Sequence, residues 1–206
     1  MKPSFEHRWQ RLWNELAMPA PAGLLAALLD AYSEPQRHYH TLQHLDECLA
    51  HFDALRHLAE HPAEIELALW FHDAVYDVHA HDNEARSADW AANALLAAGL
   101  APEACRRVHG LVMATRHDAF PTSLDAQLLT DVDLAILGAG PERFTEYDTQ
   151  IRAEYAHVPQ ALFIDKRRQI LRGFLDREHI FQTQPCRERL EAPARRNLAH
   201  AIEQAS

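Results

Sequence analysis

Residues 68–77 read Ala68-Leu69-Trp70-Phe71-His72-Asp73-Ala74-Val75-Tyr76-Asp77, a histidine and a carboxylate side by side in an otherwise apolar run. As a helix this run is apolar on nearly every face and belongs in a core rather than on a surface. Burying an imidazole and a carboxylate there costs several kcal/mol unless each is paired or bound to a cation. Neighbouring residues point about 100° apart around a helix, so a simple His72–Asp73 hydrogen bond is not expected. A third body between them is, and a metal ion fits that place.

Outward from this segment, apolar residues recur at helical spacing: Phe5, Trp9, Leu12, Trp13 and Leu16, then Leu42, Leu45, Leu49, Phe52 and Leu55, then Leu124, Leu128 and Val132. No segment reads as a strand. Pro19, Pro21, Pro62, Gly99 with Pro102, Pro121, Gly138 to Pro141, Pro159 and Pro193 punctuate the helices, and several of these prolines suit a first helical turn. Asp82 predicts an N-cap for a helix ending near Gly99. The expectation is an all-α, single-domain bundle of roughly eight to ten helices over residues 1–206, a length that fits one domain with its own core.

Thirty acidic against twenty basic residues give a net charge of -10, with no basic run, which excludes a nucleic-acid polymer as partner because such affinity comes mainly from Lys and Arg displacing counterions. A small phosphate ester stays open, since a bound metal supplies local positive charge. No apolar stretch approaches the roughly 20 residues that span a bilayer, so no membrane partner is expected. Glu6, His7 and Arg8 interrupt any export signal in residues 1–9. The odd, scattered Cys48, Cys105 and Cys186 suggest core thiols in a reducing cytoplasm. With only 6 glycines, neither GxGxxG nor a P-loop is present.

Two further segments carry chemistry. In Arg37-His38-Tyr39-His40-Thr41-Leu42-Gln43-His44, the four-residue spacing predicts His40 and His44 on one helix face. Thr41 stands where a metalloprotease HExxH needs its glutamate, so that activity is excluded. In Leu128-Leu129-Thr130-Asp131-Val132-Asp133-Leu134-Ala135-Ile136-Leu137-Gly138, two carboxylates again sit in an apolar helix. Asp133, flanked by core residues on both sides, needs a cation, while Asp131 is open to a capping role.

The order of these residues, H…HD…D on successive helices, resembles the HD superfamily of metal-dependent phosphohydrolases. The likeness rests on RHYHTLQH, WFHDAVYD, DNEARSA, ATRH and DVDLAILG, with a shared core at about residues 35–140 and N-terminal (4–32) and C-terminal (141–204) helices packed on it. It implies a divalent metal (Mn, Fe, Co, Ni, Zn or Mg) on His44, His72, Asp73 and Asp133, with Asp131 orienting a ligand. It also implies hydrolysis of a nucleotide or other small phosphate ester by a metal-activated water. The YHxxxH spacing resembles cyclic-nucleotide phosphodiesterase relatives and makes His40 the general acid.

Asp77 is a candidate to orient a ligand or bind water, and His117 to contact substrate. His117, with His79, His81 and His109 as rivals, is also a candidate to hold a second metal. Glu84 and Ser87 are placed to reach the site. Arg37, Arg152 and Arg167 are candidate phosphate clamps, since guanidinium forks match phosphate oxygens. The remaining partner question is whether the chain forms a homodimer. The alternative readings are an HD-type di-iron oxygenase and a non-catalytic metal or nucleotide sensor.

Overall fold

Helix formation follows the apolar periodicity. The computed structural model describes residues 4–204; residues 1–3 and 205–206, part of the expected domain, lie outside it. Its helices are α1 (Phe5–Glu15), α2 (Leu24–Ala31), α3 (Leu42–Leu55), α4 (Pro62–Phe71), α5 (Asn83–Ala97), α6 (Pro102–Ala114), α7 (Leu124–Asp133), α8 (Pro141–Glu154) and α9 (Gln160–Leu175). A last helix, α10, starts at Gln184–Cys186, passes through a π-helical stretch at Arg187–Glu191 and continues over Ala192–Gln204. Tight 3₁₀ turns, Arg56–Leu58 and Leu134–Gly138, follow α3 and α7. The described residues contain no strand and no helix long and apolar enough to cross a membrane.

Local chemistry sets the helix ends. Ser4, Thr41 and Ser123 accept backbone N–H groups of the first turns of α1, α3 and α7. Pro62, Pro102 and Pro141 open α4, α6 and α8, where the missing N–H is not needed. Asp82 stands at the N-cap of α5 as expected, but its side chain makes no capping bond. Gly99, at φ +93°, closes α5 with its N–H on the Leu96 carbonyl and that of Leu100 on Leu95.

Helix α4 is buried from Glu64 to Phe71 because α1, α3, α5, α6 and α7 all pack against it. Trp70 meets Trp9 edge to face at 5.1 Å. Its two buried acids have partners, as burial demands: Glu66 takes Arg11 at 3.0 Å and also Arg56, and Glu64 takes both prongs of Arg107. The central helix is thus pinned to the surrounding ones.

Asp131 corrects one expectation. It is fully buried, and its carboxylate accepts the N–H groups of Gln182 and Thr183 at 2.7 Å and the Thr183 hydroxyl at 2.6 Å. It ties the start of α10 to α7 and orients no ligand of the site described below. Asp131→Ala leaves three buried donors unmet, and at about 1 kcal/mol or more per donor the expected loss is roughly 3 kcal/mol of stability. Calorimetry should show that loss while metal stoichiometry stays that of the parent protein.

Candidate metal centre

Helix α4 ends at Phe71, so the His-Asp doublet lies at its C-terminus and not inside it. His72 is the C-cap residue, and the chain turns through Asp73 and Ala74. Leaving the helix lets the two adjacent side chains converge, with His72 Nε2 and Asp73 Oδ2 3.1 Å apart. The expectation that they diverge by the helical angle is therefore corrected.

The turn is clamped from three sides. The fully buried Arg37 guanidinium donates to the carbonyls of Asp73 (2.6 Å), Ala74 (3.1 Å) and His40 (3.2 Å). The Tyr32 hydroxyl accepts the Asp73 N–H, and the Ser87 hydroxyl accepts that of Val75. Arg37 and Ser87 are consumed by this framework, so the structure places neither against a substrate.

His44 comes from the first turn of α3 and is buried; Asp133 is the last residue of α7, where the backbone tightens. Helix α3 begins only at Leu42, so His40 precedes it, and the predicted shared helical face with His44 does not exist.

Nε2 of His44 and Nε2 of His72 stand 3.0 Å apart, and each lies 3.1 to 3.5 Å from both Oδ2 of Asp73 and Oδ1 of Asp133. An ion holding nitrogen and oxygen at about 2.0–2.2 Å spaces neighbouring ligand atoms roughly 2.8–3.6 Å apart. The four residues fit a divalent cation. The Nδ1–H of His72 donates to the Leu69 carbonyl at 2.8 Å, which leaves the Nε2 lone pair pointing inward. Cys48, expected as a plain core thiol, is buried but sits 3.7 Å from both ring nitrogens of His44, and with His44, His72 and Asp133 it forms an alternative possible ligand set at the same place, one that holds the thiol and leaves Asp73 out.

Burial by itself pushes the two imidazoles down and the two carboxyls up in pKa. Contacts with Cys48 for His44, with His117 for Asp133 and among the four groups themselves win, holding His44 and His72 well above the ordinary range and Asp73 and Asp133 well below it. The protonated centre is stabilised in this way, with room for one proton between the two Nε2 atoms, which stand 3.0 Å apart. Because the imidazole pKa values are raised, that stabilisation is complete below the ordinary histidine value of about 6.5 and is lost as pH climbs through the raised ones. A divalent ion replaces these protons, so the rise in Tm on adding metal should widen from pH 6 to pH 8.5. Calorimetry in buffers of different ionisation enthalpy should register proton release on binding.

The centre opens on a cleft of about 470 Å³ whose walls include Asp73, Asp133, His40, His117, Glu84 and Arg167. His40 Nδ1 lies 2.8 Å from Glu154, and its ring stacks on Tyr76 at 4.2 Å. Glu154, at the end of α8, also accepts the N–H groups of His38, Tyr39 and His40 and the Tyr76 hydroxyl. Burial alone would raise its pKa, but these contacts bring it down to about 2.

His117, at φ +54°, places Nε2 2.9 Å from the second oxygen of Asp133, and Arg177 holds its carbonyl. Arg167 stands 3.0 Å from Asp148 and over the Tyr147 ring. Glu154 was missed in the sequence, where nothing links it to His40 across 114 residues. So was Tyr39, whose buried hydroxyl at the cleft wall has no hydrogen-bond partner.

Other candidates are not brought together. Asp77 is exposed, accepts the His79 N–H and lines a different cleft, so it builds a turn. Arg152 spends its guanidinium on the carbonyls of Tyr155 and Val158 and lies outside the metal cleft. His79 packs on His157, and His109 pairs with Asp89.

Among the described residues the candidate ligand clusters are two: the one at His44 and a surface group, Glu60, His61 and Asp125. In the second, the Asp125 carboxylate is already bonded to the N–H groups of Glu60 and His61. No second set of ligands forms around His117, His79, His81 or His109. No family model matches the chain, and no curated protein or solved structure matches it.

Proposed function

We propose that the protein is an HD-type, metal-dependent phosphohydrolase acting on a nucleotide or another small phosphate ester. The observation that supports this most is one juxtaposition: four ligand atoms converge in the cleft wall on which Glu154 holds His40. A divalent ion held there would polarise a phosphoryl oxygen and bring the pKa of a water toward neutrality.

The chain's own residues supply the rest. Glu154 fixes the Nδ1–H tautomer and orientation of His40, leaving Nε2 to carry a proton to the departing oxygen. Arg167 offers a guanidinium whose charge Asp148 only partly offsets.

Arg167 is the one of the three arginine clamps that lines the cleft. Arg167→Ala is expected to raise KM about tenfold with a smaller change in kcat, because it removes binding that ground and transition states share. Steady-state kinetics on any accepted ester would check this.

The di-iron oxygenase reading needs a second ligand set, which the described residues do not assemble. A passive sensor has no use for a buried carboxylate orienting a histidine at the cleft. The deciding experiment is a metal-reconstituted screen over nucleoside mono-, di- and triphosphates, cyclic nucleotides, pyrophosphates and alarmones. Phosphate release that chelation abolishes and metal restores is the expected result. Metal binding without turnover of any ester would favour the sensor, and oxygen consumption with two irons per chain the oxygenase.

A further inference from the structure

We propose that the substrate is a phosphate monoester of an aliphatic alcohol, its chain lying in an apolar groove that continues from the metal cleft between α8 and α9. This rests on the phosphohydrolase reading. The groove holds about 390 Å³ and shares His40, Tyr155, Arg167 and Ile170 with the cleft. A ligand whose phosphate sits at the metal therefore leaves along it, past the proposed proton donor.

Beyond the shared rim the walls are Ile151, Val158, Leu162 and Phe163, with Lys166 beside them. Helix α9 buries only Leu171 outright and leaves Leu162 51% and Ile170 54% exposed, eight residues apart on one face. Isolated exposed leucines are ordinary, but two facing a ligand-sized hollow beside a reactive centre are a binding surface.

The polar inventory selects the occupant. The carbonyls of Tyr155 and Val158 are taken by Arg152. Arg167, on the shared rim, suits the phosphate end of a ligand, while Lys166 lines the groove alone, with a long apolar stem beneath its ammonium group. Past the Tyr155 hydroxyl on the shared rim, the side chains offer no amide, carboxylate or hydroxyl to the edge of a nucleobase, which would lose its hydrogen bonds to water on entering. An aliphatic chain loses none. A second copy of this chain is the poorer fit, since the groove is walled by nine residues where a stable interface uses about 20–30 a side.

In the reaction a water oxygen bonds to phosphorus and the P–O bond to the alcohol breaks. The leaving alkoxide takes a proton from His40, and the water's protons pass to inorganic phosphate and back to His40. The products are the free alcohol and phosphate, with no redox partner.

The test uses the metal-loaded full chain with n-alkyl phosphates from ethyl to octyl, alongside non-hydrolysable n-alkyl phosphonates titrated by calorimetry. Both kcat/KM and phosphonate affinity should rise about threefold per added methylene, somewhat below the value for full burial. Leu162→Asp, at a half-exposed position where the fold tolerates charge, should flatten both series.

A flat phosphonate series overturns the groove assignment, even if nucleotides are hydrolysed and the phosphohydrolase reading stands. Steep phosphonate binding with no ester turned over supports the groove and overturns the hydrolase reading instead. A flat series combined with a dimer that Leu162→Asp dissociates gives the groove to a second copy and also overturns the proposal.

Discussion

Asp73→Ala is expected to strip the metal and to leave no measurable phosphate release from any ester. The carboxylate of Asp73 contacts both imidazoles of the centre, at 3.3 Å from His44 and 3.1 Å from His72. Its removal takes away a ligand atom and half of the negative charge that balances the ion. Losing a partner that merely orients a ligand already costs about 10- to 100-fold in metal affinity, so losing the ligand should exceed about 100-fold.

Metal per chain after dialysis, measured by elemental analysis, checks the first claim and a phosphate assay the second. Asp77→Ala is the control. Its carboxylate serves the surface turn at His79, and both metal and turnover should persist. Activity retained in Asp73→Ala would sink the mechanism, because Asp133, the other carboxylate beside His72, is already counted among the ligands.

The second large effect concerns His40. If it delivers the proton to the leaving oxygen, His40→Ala should lower kcat by about 10²- to 10⁴-fold on an alkyl ester. On p-nitrophenyl phosphate, whose leaving group departs without a proton, the loss should be far smaller. The ratio between the two substrates is the informative quantity, since a purely structural role for His40 would depress both alike. Glu154→Gln should reproduce the discrimination in weaker form, because its amide oxygen can keep the three backbone donors while its amide nitrogen would face His40 Nδ1 and the Tyr76 hydroxyl and so oppose the Nδ1–H tautomer. With its pKa near 2, Glu154 stays ionised at any working pH. The stability these contacts contribute is complete above the ordinary carboxyl value of 4.5 and is lost as pH falls from there through about 2.

His40 and His44 do meet around one site, but the four-residue spacing was the wrong reason: Thr41 caps α3, and His40 arrives from the turn before it. Arg37 and Arg152 have the chemistry of phosphate clamps, yet each is spent on backbone carbonyls at the end of a helix or turn. Composition reveals charge and fork geometry but not whether the fork is already occupied. Asp131 and Asp133, two residues apart, must lie on different faces of α7, and no rule of spacing says which face meets the metal.

What the sequence determined by itself is the part governed by local periodicity and by burial. Apolar residues at helical spacing require helices. An apolar run around His72 and Asp73 requires a core helix. Ionisable groups in that run require a cation or a partner. What only the tertiary structure decided is where helices stop and which distant groups converge. The end of α4 at Phe71 turns the His-Asp doublet into a pair that can share one ion, and Glu154 reaches His40 from 114 residues away. The physical reason is that pattern fixes which face of a helix is buried, whereas the energy of a buried charge depends on its neighbours in space, and the folded chain alone supplies these.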